Sequence, residues 1–229
     1  MARGTQFLSL VTRLRSELGR STEVSVGVDD LDRLKQTLNR IYEQEYEDHD
    51  WPHLRRLFTA VSLPAGSYLY DFPSDLNFER VERAVVWYNS LPHECVRGIG
   101  FDEYSQYDSL SDERSDPVQR WDVRDVAGAT QFEVWPIPST AQTIQFQGIR
   151  SISRLVADAD VCLLDDNLII LGAAAALHKD TKRREELRKD YAERSRVLRA
   201  HGARTAPKRQ LGISTTQDHR PTTATVRVS

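Results

Sequence analysis

Cysteine is scarce: Cys95 and Cys162 are the only two in 229 residues. Two cysteines build neither a disulfide framework nor a cysteine-rich zinc site, and they suit a reducing compartment. Long hydrophobic runs are absent too. The longest, 168–177, is too short to cross a bilayer. Met1-Ala2-Arg3-Gly4 does not lead into the apolar core of a secretory signal. The expectation is a soluble protein made in a cytosol, with no membrane partner. Common catalytic signatures are also missing: there is no G-x-S-x-G elbow, no Walker-type phosphate loop and no G-x-G-x-x-G. Gly98-Ile99-Gly100 is a lone glycine pair and reads as a strand end or bulge.

Two clusters invite a metal, and each has a plainer reading. His49 and His53 stand four apart beside Glu47, Asp48 and Asp50, a spacing that suits one helix face. Pro52 interrupts that helix, so the pair reads as a solvated helix end. Asp158, Asp160, Asp165 and Asp166 suggest a calcium loop, but Leu163 stands where such a loop needs glycine. These acids are assigned to helix capping and loop solvation. Trp51, Trp87, Trp121 and Trp135 are read as core anchors. No catalytic residue, cofactor or metal ligand is assigned, and the expectation is a protein that is not an enzyme.

What the chain does have is enough apolar material for a core and an uneven spread of charge. Hydrophobic residues make up 39%, charged residues 28%, and the net charge is −3. The length fits one large domain or two small ones. Residues 178–229 hold 14 Lys/Arg against 6 Asp/Glu, whereas residues 1–177 hold 17 against 28. An acidic body with a basic end suits electrostatic docking to a partner. It excludes generic nucleic-acid binding by the body, though not by the end.

Periodicity divides the chain into four parts. Residues 1–54 read as a helix pair. Thr5 is placed to cap the first helix, with Phe7, Leu10, Val11, Leu14 and Leu18 on one face and Gly19 closing it. Asp29 or Asp30 is placed to cap the second, striped by Leu31, Leu34, Leu38, Ile41 and Tyr42. Residues 55–154 read as an antiparallel β-rich insert, with strands at 57–63, 67–72, 81–88, 95–101, 118–126, 131–137 and 143–149. Pro64-Ala65-Gly66 reads as the hairpin turn joining the first two, and the acidic stretch 101–117 as a solvated loop or short surface helix. Residues 155–201 return to helix. Asp165-Asp166-Asn167 caps the run 168–177, whose Gly172 and following alanines offer a thin surface for close packing. The next helix, from Thr181 to about His201, is dense in charge and carries only Leu187, Tyr191, Val197 and Leu198 as apolar stripe. Such a helix touches little of its own domain or lies against something else. Residues 202–229 carry six threonines, two prolines and five Lys/Arg against Asp218 alone. They build no core and read as an extended arm, disordered alone, that orders on a partner. The expected fold class is therefore α+β: a helical bundle of two helix pairs, interrupted by the β-rich insert and followed by the arm.

Three stretches carry a family resemblance. The first is Leu38-Asn39-Arg40-Ile41-Tyr42 followed by Trp51-Pro52-His53-Leu54. The second is Gly66-Ser67-Tyr68-Leu69-Tyr70-Asp71-Phe72-Pro73-Ser74-Asp75-Leu76 with Phe78-Glu79-Arg80-Val81. The third is Val134-Trp135-Pro136-Ile137-Pro138, then the strand through Phe146, then the helix at 168–177. In this order and spacing they resemble the head-to-tail adaptors of tailed bacteriophages, the ring proteins beneath the portal of podovirus-like particles. The family often has a tyrosine followed by a proline where Phe146 and Gly148 stand here. The resemblance implies a structural protein of the virion neck, made in the host cytoplasm. It also implies a ring, usually of twelve copies, that binds the portal protein, extends the DNA channel without sequence-specific binding, and offers a platform to tail or nozzle proteins.

Composition marks 202–229 as the arm that docks on the portal. Arg204, Lys208, Arg209, Arg220 and Arg227 would supply charge, and Leu211, Ile213, Val226 and Val228 apolar anchors. Three rival readings stay open at this point. One is a more distal tail-tube or nozzle component. Another is a nucleic-acid-binding protein using the basic 178–229, against which the tail shows no aromatics for base stacking and no recognition-helix signature. The last is an enzyme of an unrecognised family.

Overall fold

A computed structural model describes residues 3–21 and 28–205. Among them the chain forms a helical body and a curled mixed sheet, an α+β fold. The body contains α1 (Phe7–Glu17), α2 (Val28–Asp48), α4 (Asp166–Leu177) and α5 (Thr181–Thr205), and all four contribute to one apolar cluster. In α1 the positions Phe7, Leu10, Val11 and Leu14 are buried, which is the spacing of one helix face. Gly19 sits beyond the helix end at φ 66°, a left-handed conformation that glycine adopts without strain.

Two capping expectations fail. Gln6, not Thr5, holds the N-cap of α1 and makes no side-chain cap. The Thr5 hydroxyl instead donates to Asp166 across the body, a stronger acceptor buried beside it. The α2 segment is already helical at Val28, so Asp29 and Asp30 lie within the helix, and Asp30 pairs with Arg20 at 2.7 Å.

Gly172 and the alanines behave as their size predicts. A Cβ on Gly172 would stand 2.8 Å from Ile41 Cγ2 and 3.0 Å from Tyr191 Cε2, so α4 approaches both α2 and α5 closely at this point. The charged helix α5 packs along α4 through Leu187, Leu198 and Tyr191. It continues past His201 to Thr205. Gly202 belongs to this helix, where a Cβ would sit 3.2 Å from the Pro52 ring.

The sheet comprises β1 (Arg55–Leu57), β2 (Val61–Leu63), β3 (Leu69–Asp71), β4 (Leu76–Tyr88), β5 (Leu91–Arg97), β6 (Arg120–Val126), β7 (Ala129–Trp135) and β8 (Gln142–Arg150). Its order is β1-β8-β4-β5-β6-β7-β3, with β2 also on β8. Three strand expectations are corrected. The stretch 57–63 is two strands, since the backbone departs from the ladder around Phe58, whose amide still reaches Phe146 O at 2.9 Å. Pro64-Ala65-Gly66 does not join a hairpin: β2 pairs with β8 and β3 with β7, and the Gly66 amide donates to Pro138. The sheet is mixed, not wholly antiparallel, because β5 and β6 run parallel through Val96↔Arg120 and Arg97↔Trp121. The long connection between them, containing α3 (Phe101–Gln106), carries the chain back to start β6 in the same direction.

Both tight hairpins have two-residue turns in the left-handed region, Asn89-Ser90 and Ala127-Gly128, as the twist of antiparallel strands demands. The sheet curls over Phe72, Trp121, Phe132 and Phe146, whose rings meet at centroid distances of 5.1 to 6.1 Å. Trp51, Trp121 and Trp135 are buried, but Trp87 is 43% exposed. Ala84 and Val86 take the inward positions of β4, so Trp87 falls on the outer face. Cys95 and Cys162 are free thiols in separate cores, and burial pushes the Cys162 thiol up to about 12.

Gly148 is required by a close backbone approach. It lies beneath the irregular stretch of β4, where a Cβ would stand 2.8 Å from Arg80 O and 3.1 Å from Val81 Cα. These are backbone atoms with little freedom to give. Gly148→Ala is expected to cost about 1–3 kcal/mol of stability, read as a lower urea midpoint at unchanged slope.

Candidate assembly surfaces

The helical body is held by three buried carboxylates. Asp165 caps α4 by accepting from the Leu168 amide at 3.0 Å, and Arg194 of α5 meets it with two donors at 2.7 and 3.2 Å. Asp166 accepts from Thr5 and faces Arg13 at 3.6 Å. Glu45 of α2 accepts from the Tyr191 hydroxyl and from Arg199 at 3.4 Å, while its own carbonyl takes the Trp51 indole N–H at 2.8 Å. Burial, then the neighbouring Glu45 carboxylate, holds the Tyr191 phenol well above its ordinary value. The charged helix is thus tied to α2 and α4 by polar bonds where its apolar stripe is thin.

A second set of contacts uses residues of the family-like stretches, one tying α2 to the segment after β8 and one tying α2 to the sheet. Asn39 donates to Leu155 O at 2.8 Å and accepts from Leu155 N at 2.9 Å. Arg80 of β4 donates to Tyr46 O and Glu47 O at 2.7 and 2.6 Å and lies over the Tyr46 ring. Those carbonyls belong to the last turn of α2, where a cation is favourable. On the sheet, Tyr104 of α3 and Arg124 both bond to Glu133, at 2.8 and 2.6 Å, so α3 covers an acid that would otherwise face solvent.

The clusters that invited a metal are committed elsewhere. His49 and His53 flank the Trp51 ring at 5.0 and 6.1 Å, and the His53 Nε2 lies 2.8 Å from Leu163 O. Asp160 accepts from the Val156 and Ala157 amides, and Asp158 pairs with Lys35. Among the described residues no group of three or more His, Cys, Asp or Glu is arranged to hold a metal.

Open surfaces among the described residues include the edge strand β1, where Leu57 is 62% exposed, and the start of α3, where Phe101 is 84% exposed. Another is a groove of about 450 Å³ between α1, α4 and α5, with Ile170, Leu171 and Val197 as its apolar lining and Glu17, Asp190 and Glu193 among its charged residues. Sequence reasoning missed this groove. Its signal was the spacing of Glu186, Asp190, Glu193 and Val197, which share one helix face. Of the residues expected in the docking arm, Arg204 stands in the last turn of α5. Lys208, Arg209, Leu211, Ile213, Arg220, Val226, Arg227 and Val228 lie outside the described residues.

A family model described as SU10 adaptor protein matches residues 5–228. The chain belongs to the SU10 adaptor protein family. No curated protein matches it. As an SU10 adaptor it is a structural protein of bacteriophages, which bears out the resemblance to the head-to-tail adaptors. Adaptors of this kind associate with portal and tail proteins in the virion, and the family is not generally catalytic.

Two outcomes follow from the adaptor's helical body. Arg194→Met leaves the buried Asp165 carboxylate without its cation. The loss is expected at about 2–3 kcal/mol in urea unfolding, reduced from the fully buried case because Arg194 is partly exposed, and Asp165→Asn in the same chain should recover part of it. The second concerns pH. Burial lowers both imidazoles below their ordinary 6.5, for His49 with help from Arg199 and for His53 against its bond to Leu163. The unfolded chain therefore takes up protons first. The stability these neutral rings contribute is present above pH 6.5 and falls as pH drops below it. A double His49→Asn/His53→Asn variant should show a flatter decline in melting temperature over that window.

Proposed function

We propose that the chain is a head-to-tail adaptor that forms a ring of about twelve copies beneath the portal, extends the DNA channel and offers a platform to tail or nozzle proteins. The observation that carries this reading is the extent of the family match. It runs on from the helical body through the basic segment to residue 228, so that segment is part of the family pattern. The working parts are a helical body from 1–54 and 155–201, a β-rich insert at 55–154, and the C-terminal arm.

The charge distribution supports the reading. Residues 1–177 are net acidic, and like charge lets DNA pass without gripping it. The arm is basic and docks on the portal through Arg204, Lys208, Arg209, Arg220 and Arg227, with Leu211, Ile213, Val226 and Val228 as apolar anchors. Each contact is modest. Repetition around a ring turns modest contacts into stable attachment.

Mixing the purified protein with the portal ring of the same particle, and weighing the products one particle at a time, tests the ring. A single step of about twelve subunits is expected; persistence of monomer beside a bare portal would move the protein to a more distal position in the tail. The arm has its own test. Because Gly202 packs on Pro52 within α5, the truncation begins at residue 206. Removing 206–229 should leave the thermal transition in place and weaken portal binding at least about tenfold, or 1.4 kcal/mol. Equal binding would refute the arm.

A further inference from the structure

We propose that the groove between α1, α4 and α5 seats this chain's own segment 208–213 in the free subunit, holding the basic arm against the body until a partner takes it. This rests on reading that segment as part of the docking arm.

The groove has a definite chemistry. Its apolar lining is Ile170, Leu171 and Val197, and Val197 is 37% exposed. Asp190 and Glu193 have no ion-pair partner among the described residues, and Glu17 only approaches Arg183 at 3.8 Å. The two arginines that also line the groove are engaged inward. Arg194 is bonded to Asp165, and Arg13 to Asn167 and Asp166. What the groove offers outward is therefore the aliphatic surface of Val197 and half-buried Leu171, over buried Ile170, beside the exposed carboxylates of Asp190 and Glu193.

Lys208-Arg209-Gln210-Leu211-Gly212-Ile213 is the complement. Leu211 and Ile213 point to the same side of an extended chain, and Gly212 between them adds no bulk. Lys208 and Arg209 precede them and supply long cationic side chains for the carboxylates. The reach is sufficient. Val197 lies eight residues before Thr205, about 12 Å along the helix. Five residues, 206–210, can span about 16 Å when extended, enough to return Leu211 to Val197. The tether gives the segment an effective concentration near millimolar, so a weak contact is enough to fill the groove.

Cysteine pairing in the full chain tests this without a portal. Val197→Cys with Ile213→Cys places one thiol in the groove and one on the arm; Leu91→Cys with Ile213→Cys is the control, at the exposed β4–β5 turn, eight residues along β4 from the Arg80 contact with α2. The native thiols are buried and stay out of the reaction. Under mild oxidation at low micromolar protein, the groove pair is expected to close at least about tenfold faster than the control. Mixing isotope-labelled with unlabelled protein should yield disulfides within one chain only. Asp190→Lys with Glu193→Lys, or about 1 M salt, should bring the rate down toward the control. Equal rates for the two pairs would overturn the proposal. So would mixed-isotope disulfides, which assign the groove to a neighbouring copy's arm. Neither result touches portal binding by the arm, which the truncation at residue 206 reads separately.

Discussion

Everything in the helical body depends on how α5 stays attached. It is 25 residues long and dense in charge, and few of its side chains enter the core. Apolar burial alone gives such a helix a weak hold. The added hold is electrostatic and buried: Glu45 and Asp165 sit inside the body, and Arg199 and Arg194 of α5 come to meet them, while Arg13 of α1 meets Asp166 of α4 in the same way. A carboxylate out of water needs its cation and its hydrogen bonds. That need fixes the position of α5 more narrowly than a sliding apolar contact does, because a shift of one turn breaks its pairs with Asp165 and Glu45.

The same logic explains why the family-like stretches sit where they do. Asn39 is a bridge, not a surface residue: it binds both backbone groups of Leu155. Trp51 fills the corner between α2 and the sheet and spends its N–H on Glu45 O. Arg80 closes the end of α2 from β4. Each residue satisfies backbone groups that water would otherwise have to reach, Asn39 and Trp51 within the body and Arg80 at the seam between α2 and the sheet. For an adaptor, a firm seam means that the two parts move together when a partner pulls on either one.

The groove and the arm belong to a different regime. The body is fixed by buried pairs, whereas the groove carboxylates of Asp190 and Glu193 are solvent-facing and without an ion pair among the described residues. Contacts of that kind are weak and salt-sensitive.

Much of this was legible in the residues. The helical spacing in α1 and α2, the apolar run of α4, the cap at Asp165, the close approach at Gly172 and the α+β class follow from local patterning and side-chain size, which act over a few residues and are written in the sequence. The charge division between residues 1–177 and 178–229 was equally plain. Pairing partners were not. Strands β2 and β3 look like a hairpin because the turn chemistry between them is right, yet they pair with β8 and β7. Trp87 faces outward because β4 must place Ala84 and Val86 inward. Thr5 abandons its cap because a buried Asp166, distant in the chain, is the better acceptor. Those choices depend on which distant group arrives, and only the folded chain brings it there. The sequence by itself determined the elements and the charge of this adaptor; tertiary structure decided their partners, because a buried polar group takes the partner that packing delivers.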